Sequence, residues 1–393
     1  MRIQKSINKG WMVALTLVWL SLAAACGQFK VGLETETTDL SLPTEAPVVD
    51  GADTSQGEIE TATPAAPPAH RASGLVLGSY NISFYVDRAG QVVSLVDYSG
   101  AQLSADKNQL LYAREEASGG MDDIYLLDLE SGEERNLTQT PDRSEYAPVW
   151  WPAHPELVFF VSGEQSGMGN AENPTVVGLD GTGYRVLDDS QGGPNTLSAD
   201  GTMIAYGGFD REGVIFHWDG QRELFDPAAY GLTVDKVFKP AFSPDGRYLA
   251  WKVSGDLNGD GELSTGLAIF DLQEQSAELI HVYTVQGGGM VPHYISWSPD
   301  GSWIAYVTFG EGPAVGRESN LWVMRPDGSE ETYIDSGLSP TWSPDGQQLA
   351  YVRATMSGEI GLHIAETGSW AHSPVDDLPF PETVQFIMEW IQP

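Results

Sequence analysis

Within this 393-residue chain, the residues whose types and spacing best suit chemistry fall in one short stretch, Asp256-Leu257-Asn258-Gly259-Asp260-Gly261-Glu262-Leu263. Side-chain oxygens at alternate positions, with a glycine in sixth place to make the sharp turn, form the first half of a calcium-binding loop. Asp256, Asn258 and Asp260 would supply side-chain ligands and Glu262 a backbone carbonyl, with Leu263 anchoring the loop in the core. Position twelve is Leu267, where a bidentate glutamate closes the full motif. The last ligand must then come from Asp271, another loop or water, and the ion would serve structure. A polar, glycine-rich surface loop is the plainer reading of the same residues.

Signatures of nucleophilic, phosphate and zinc-protease chemistry are missing: the sequence has no Gly-x-Ser-x-Gly elbow, no Gly-x-x-x-x-Gly-Lys loop and no His-Glu-x-x-His pair. His154, His217, His281, His293, His363 and His372 read as scattered over different units, each as a packed or surface side chain.

What must position these residues is a repeat. Phe242-Ser243-Pro244-Asp245-Gly246, Trp297-Ser298-Pro299-Asp300-Gly301 and Trp342-Ser343-Pro344-Asp345-Gly346 each run into a strand-like segment such as Leu349-Ala350-Tyr351-Val352. Weaker copies begin at Leu103, Trp150 and Leu197. With Ser104, Trp151, Ser198, Ser243, Ser298 and Ser343 aligned, the copies are spaced 47, 47, 45, 55 and 45 residues apart. Proline presets φ for a turn, while aspartate and glycine supply a local acceptor and a residue free to take φ > 0. A second turn signal recurs later in most units, at Asp128–Gly132, Leu179–Gly181, Trp218–Gly220, Pro326–Gly328 and Glu366–Gly368. Two hairpins per unit at this period predict an all-β propeller of four-stranded antiparallel blades.

The Trp-Ser-Pro-Asp-Gly phrase with its Ile/Leu-Ala-Tyr strand, together with Asp123-Ile124-Tyr125-Leu126-Leu127-Asp128-Leu129 and Asn136-Leu137-Thr138, resembles the WD-like propeller repeats of the TolB family over roughly residues 74–393. That resemblance implies a fold used for binding platforms, for gating domains beside hydrolases and occasionally for enzymes. The closing segment Phe386-Ile387-Met388-Glu389-Trp390 reads as an innermost strand, and segments at 74–79, 82–87 and 91–97 could complete its blade. This closes a ring of seven, with six as the alternative. Connections within and between blades would place the loops at 163–174, 227–238, 255–266, 286–293 and 309–320 on one face, where Met168, Tyr230, Met290, His293 and Phe309 are the candidate partner-binding residues.

Arg2, Lys5 and Lys9 precede the apolar run Trp11–Ala25, which has the layout of a secretory signal peptide. Cys26, the one cysteine of the chain, follows Leu22-Ala23-Ala24-Ala25, a context that resembles the bacterial lipobox. The organisation expected is a signal peptide at 1–25, a lipidated Cys26 with a tether at 26–73 rich in Thr, Pro, Ala and acidic residues, and the propeller at 74–393. A formal net charge of −35 argues against nucleic acid, which needs a basic footprint. The expected protein is a monomeric, membrane-anchored, extracytoplasmic lipoprotein that binds another envelope protein or an extracellular ligand without catalysis. The alternatives are a glycan- or peptide-processing hydrolase or lyase with its site in the central channel, and the non-catalytic propeller partner of a separate peptidase.

Overall fold

The computed structural model describes residues 69–79, 82–96, 100–115, 121–164, 173–188, 195–207, 213–284, 293–309, 319–355, 360–378 and 385–391. The signal peptide, Cys26, almost all of the tether, Met168 and Met290 lie outside them. Apart from a 3-10 turn at Pro227–Tyr230, the regular structure of the described residues is β, and its strands pair antiparallel in seven groups of four. Sheet 1 joins Phe386–Trp390 to Leu75–Ser79, Ile82–Val86 and Val92–Val96. Sheet 2 runs from Gln102–Leu103 to Glu134–Asn136, sheet 3 from Arg143–Trp150 to Arg185–Val186, sheet 4 from Asn195–Leu197 to Arg222–Phe225, and sheet 5 from Lys236–Phe242 to Ser276–Thr284. Sheets 6 and 7 share the strand Thr332–Trp342. Its first half pairs with Ser319–Met324 as the outer strand of sheet 6, and its second half pairs with Gln348–Ala354 as the first strand of sheet 7.

The repeated phrase folds as it does because its serine and aspartate close a local hydrogen-bond net. Ser104, Ser198, Ser243, Ser298 and Ser343 each donate from Oγ to the carboxylate two residues on, at 2.5–2.7 Å. The same oxygens accept the amide five residues on, at 2.9 Å. The serine hydroxyl is the chief cause that holds the Asp106 and Asp345 carboxyls below the usual carboxylate range. Gly201, Gly246, Gly301 and Gly346 sit at φ between 67° and 71°, where glycine is unstrained; in the first copy Lys107 must hold φ 62°. The tryptophan at the head of the turn then ties one sheet to the last. Trp150, Trp297 and Trp342 donate from Nε1 to the carbonyls of Gln102, Ala241 and Ser296, in the first strand of the preceding sheet, at 3.1–3.3 Å.

Each neighbouring pair of sheets encloses its own apolar cluster. Leu111, Ile124 and Phe160 lie between sheets 2 and 3, Phe225, Trp251 and Phe270 between sheets 4 and 5, and Leu77, Val352 and Ile364 between sheets 7 and 1. Among the described residues seven such clusters run sheet to sheet and back to the first, the arrangement of a β-propeller. Burying a leucine or isoleucine in them is worth about 1.5–3 kcal/mol. At the closure, Phe386–Trp390 pairs with Leu75–Ser79, setting Val76 opposite Glu389, as the sequence led one to expect. Trp390 Nε1 donates to Ser73 O at 2.9 Å, and Arg71 donates to Ile364 O at 2.7 Å and Ser373 Oγ at 2.6 Å. The N-terminal segment is thereby clasped to sheet 7.

Candidate functional site

The first strands of sheets 1, 2, 3, 6 and 7 wall a cavity of about 790 Å³, lined among others by Tyr294, Ser339, Phe386, Pro299 and Trp390. In four first strands, those of sheets 3, 5, 6 and 7, the pairing slips by a bulge, and a non-glycine residue there takes φ near 50°: Ala147, Lys239, Tyr294 and Ser339. Each lies three residues before the aromatic that precedes the turn. A side chain in this region costs about 1–2 kcal/mol, and strain of this kind collects where function does. Ala147, Tyr294 and Ser339 line the cavity, and Tyr294 is half exposed. The wall is mainly apolar, and among the described residues its one carboxyl is Glu389. Glu389 accepts the Leu103 amide at 2.8 Å, but burial outweighs that bond and pushes its pKa up to about 7.

A second constellation recurs within sheet 2 and at three seams between sheets. The Ile/Leu-Ala-Tyr strand places Tyr112, Tyr206, Tyr306 and Tyr351 at equivalent buried positions. Their hydroxyls donate to Glu134, Asp188, Glu331 and Asp335, and each carboxylate also faces a cationic or imidazole partner: Arg114, Arg222, His281 and Arg353 respectively. These are Tyr–carboxylate locks, and the last is elaborated. Asp335 Oδ2 lies 3.0 Å from the Tyr351 hydroxyl, 3.0 Å from Arg353 Nε, 3.8 Å from His372 Nδ1 and 4.0 Å from His363 Nδ1. The Tyr351 hydroxyl is also 2.9 Å from His372 Nδ1. With its proton given to Asp335, that contact requires His372 Nδ1 to be the donor. Burial, with the Asp335 charge behind it, raises the Tyr351 pKa, so the phenol stays protonated. One carboxylate oxygen and two imidazole nitrogens lie within 4.8 Å of one another, close enough to share a metal ion.

The residues singled out from the sequence are placed as follows. The loop 256–263 is curled around Asp256, whose two oxygens accept the amides of Asp260 at 2.9 Å and Gly261 at 3.1 Å, while Asp260 Oδ1 accepts the Glu262 amide at 2.9 Å. Leu263 is not its anchor, being 59% exposed. Leu257 packs on the core between sheets 4 and 5 instead, because Ser264 Oγ accepts the Leu257 amide and donates to Gly255 O, both at 3.0 Å, drawing the start of the loop inward. Tyr230 packs on Phe225 and Phe270, and Phe309 is half-buried against the cluster of sheets 6 and 7. His293 opens the first strand of sheet 6.

The histidines are less scattered than they read, since His363 and His372 belong to one sheet. They flank the turn signal Glu366-Thr367-Gly368, and a hairpin there sets them on paired strands. That was the signal available. Asp335, Tyr351 and Arg353 carried no motif.

No protein-family model matches the chain, and no curated protein matches it. Solved structures do match. An oligogalacturonate lyase from Vibrio parahaemolyticus superposes with a TM-score of 0.55 at 13% identity, covering 76% of this chain and 92% of its own. An oligogalacturonate lyase in complex with manganese gives 0.54 at 14%, over 74% and 84%. A puromycin hydrolase gives 0.56 at 16%, over 82% of this chain and 55% of its own. TolB from Acinetobacter baumannii is a looser fit, at 0.38. At such identities the likeness establishes the propeller fold and leaves the chemistry open.

Proposed function

We propose that the chain is a binding propeller, tethered outside a bacterial cytoplasmic membrane through an acylated Cys26, that receives an apolar segment of a partner protein in its central channel from the long-loop face. The observation that carries this reading is the cavity of about 790 Å³, walled by Tyr294, Trp297, Pro340, Phe386 and Trp390 and holding, among the described residues, one carboxyl, Glu389. Concave, mainly apolar surfaces with few polar groups are the usual form of a binding site. Glu389 would select a hydrogen-bond donor or cation at one point along the ligand.

The experiment is capture from membrane extract of the source organism with the full chain and with Val149→Trp. Val149 lines the cavity and is exposed enough to accept a larger ring. A partner retained by the parent and lost by the folded variant supports the channel as the binding site; capture that ignores the plug, or no capture, counts against it.

One observation favours a second reading, a lyase or hydrolase working in the same channel. Glu389 is held at about 7, where a carboxyl can both give and take a proton at neutral pH. Propeller neighbours include a lyase and a hydrolase. Turnover of uronide oligosaccharides or peptides that Glu389→Gln abolishes would favour this reading.

Calcium on Asp256, Asn258, Asp260 and the Glu262 carbonyl is proposed as a structural tie. The residues fit an ion in one respect: the loop already curls around Asp256, whose two oxygens accept the Asp260 and Gly261 amides. Calcium should raise the melting temperature of the parent and leave Asp260→Asn unmoved; identical melts with calcium and with chelator would dismiss it.

A further inference from the structure

We propose that Asp335, His363 and His372 form a binding site for a divalent transition-metal ion of the zinc or cobalt class at the seam of sheets 6 and 7, apart from both the channel and the 256–263 loop.

The three donors come from three strands, Thr332–Trp342, Ile360–Glu366 and His372–Pro374, and pairing across the sheet brings them together. His363 stands directly opposite Tyr351 on one side and Pro374 on the other, and His372 is opposite Ala365. The imidazoles therefore lie diagonally across adjacent strands, with ring centroids 6.2 Å apart. Tetrahedral bonds of about 2.0–2.1 Å need donors spaced at roughly 3.3 Å. The aspartate-to-histidine separations of 3.8 and 4.0 Å thus require shifts of well under 1 Å, within reach of small side-chain rotations.

Donor chemistry sets the class of ion. Two imidazoles and one carboxylate suit zinc, cobalt or nickel and discriminate against calcium and magnesium, which prefer oxygen throughout. Among the described residues no other group of three His, Asp or Glu ligand atoms comes this close. Asp335 and His363 are largely buried, while His372 is about one-third exposed, giving the ion a way in. The rest of the shell is also built. The Ser336 amide donates to Asp335 Oδ1 at 2.8 Å and leaves Oδ2 toward the imidazoles. The Tyr351 hydroxyl, bonded to Asp335 Oδ2 and His372 Nδ1, holds these two donor atoms together in the free protein, and the ion takes its place with loss of the Nδ1 proton. Arg353 Nε shares Oδ2 and is the cation that an incoming metal has to displace.

The test is binding of Co²⁺ and Zn²⁺ to the metal-stripped full chain, read by cobalt d–d absorption and by calorimetry. The variants are His372→Gln, Asp335→Asn and Arg353→Met, with Asp260→Asn as a control for the calcium loop. Parent and control should bind one equivalent with tetrahedral cobalt bands. His372→Gln, the more exposed ligand and the safest for folding, should weaken binding at least about tenfold. Asp335→Asn should do likewise, and Arg353→Met should tighten it by removing the competing cation. No cobalt spectrum from the parent overturns the proposal, as does a folded His372→Gln chain that binds as tightly as the parent. Should Asp335→Asn fail to fold, His372→Gln decides alone.

Discussion

The lock within sheet 2 and the lock at the seam of sheets 6 and 7 start from the same parts and end differently. In both, a tyrosine from the Ile/Leu-Ala-Tyr strand is buried to 1% exposure or less and gives its hydroxyl to a carboxylate that an arginine also holds. In sheet 2 the lock is complete with Tyr112, Glu134 and Arg114, and the carboxylate opens toward solvent. At the seam of sheets 6 and 7 the acid is Asp335, on the sheet 6 half of the shared strand and more deeply placed, and two imidazoles stand over it. The repeat supplies one rigid fitting to several seams, and chemistry enters where a copy departs from it.

The largest effects should fall on what the two locks share. Tyr112→Ala and Tyr351→Ala should each cost about 3–5 kcal/mol in denaturant unfolding, because both leave a cavity in a closed core; a large loss at one alone would break the equivalence. Next come the acids, where the locks should separate. Asp335→Asn should cost about 3 kcal/mol, since it strands buried partners, while Glu134→Gln should cost less than about 1 kcal/mol at its more exposed site. Equal losses would show that the added histidines change nothing.

The pH dependence separates carboxyls that a cation holds from two that burial dominates. Burial pushes Glu145 and Glu389 up from 4.5 to about 7. The folded state then keeps protons that the unfolded chain releases, so this stability is full below about pH 4.5 and is lost as pH rises through 7. In Glu134 burial acts upward too, but the Arg114 and Tyr112 bonds prevail and lower it; its contribution is present above the unfolded value and is lost as pH falls through the folded one. Glu389→Gln should shrink the fall in stability between pH 5 and pH 8 by about 1–3 kcal/mol. An unchanged profile would remove Glu389 from the account. The smallest effect expected is at the first turn, where Lys107→Gly should gain about 0.5–1 kcal/mol by relieving φ 62°; Ser302→Gly, after a turn that already has its glycine, should gain nothing.

The propeller was legible because its information is local and repeated. Ser-Pro-Asp-Gly closes its net within six residues, and the same phrase recurs at one period, so each copy confirms the others. The closing strand Phe386–Trp390 was legible for the same reason, as a copy lacking its continuation. The seam site was not. Asp335, Tyr351, Arg353, His363 and His372 meet through register across four strands, and no spacing along the chain encodes that meeting. The misplacement of Leu263 has a local cause: the motif names the position, but Ser264 fixes which leucine turns inward. The run from sheet 6 to sheet 7 through the unbroken strand Thr332–Trp342 is also unmarked in the sequence, since a passage that needs no turn carries no turn residue.

The join between Phe386–Trp390 and Leu75–Ser79 is made of hydrogen bonds, with no peptide link across it. Trp390 and Ser73, bonded at 2.9 Å, are 317 residues apart in sequence. Closing so long a loop is slow, because its entropy must be lost before the contact returns anything. Three strands of sheet 1 pair with one another within residues 75–96, whereas its innermost strand waits for residues near 390. Until then the Leu75–Ser79 edge that Phe386–Trp390 covers is unpaired, and an open strand edge is where a chain can pair with a neighbour instead of with itself.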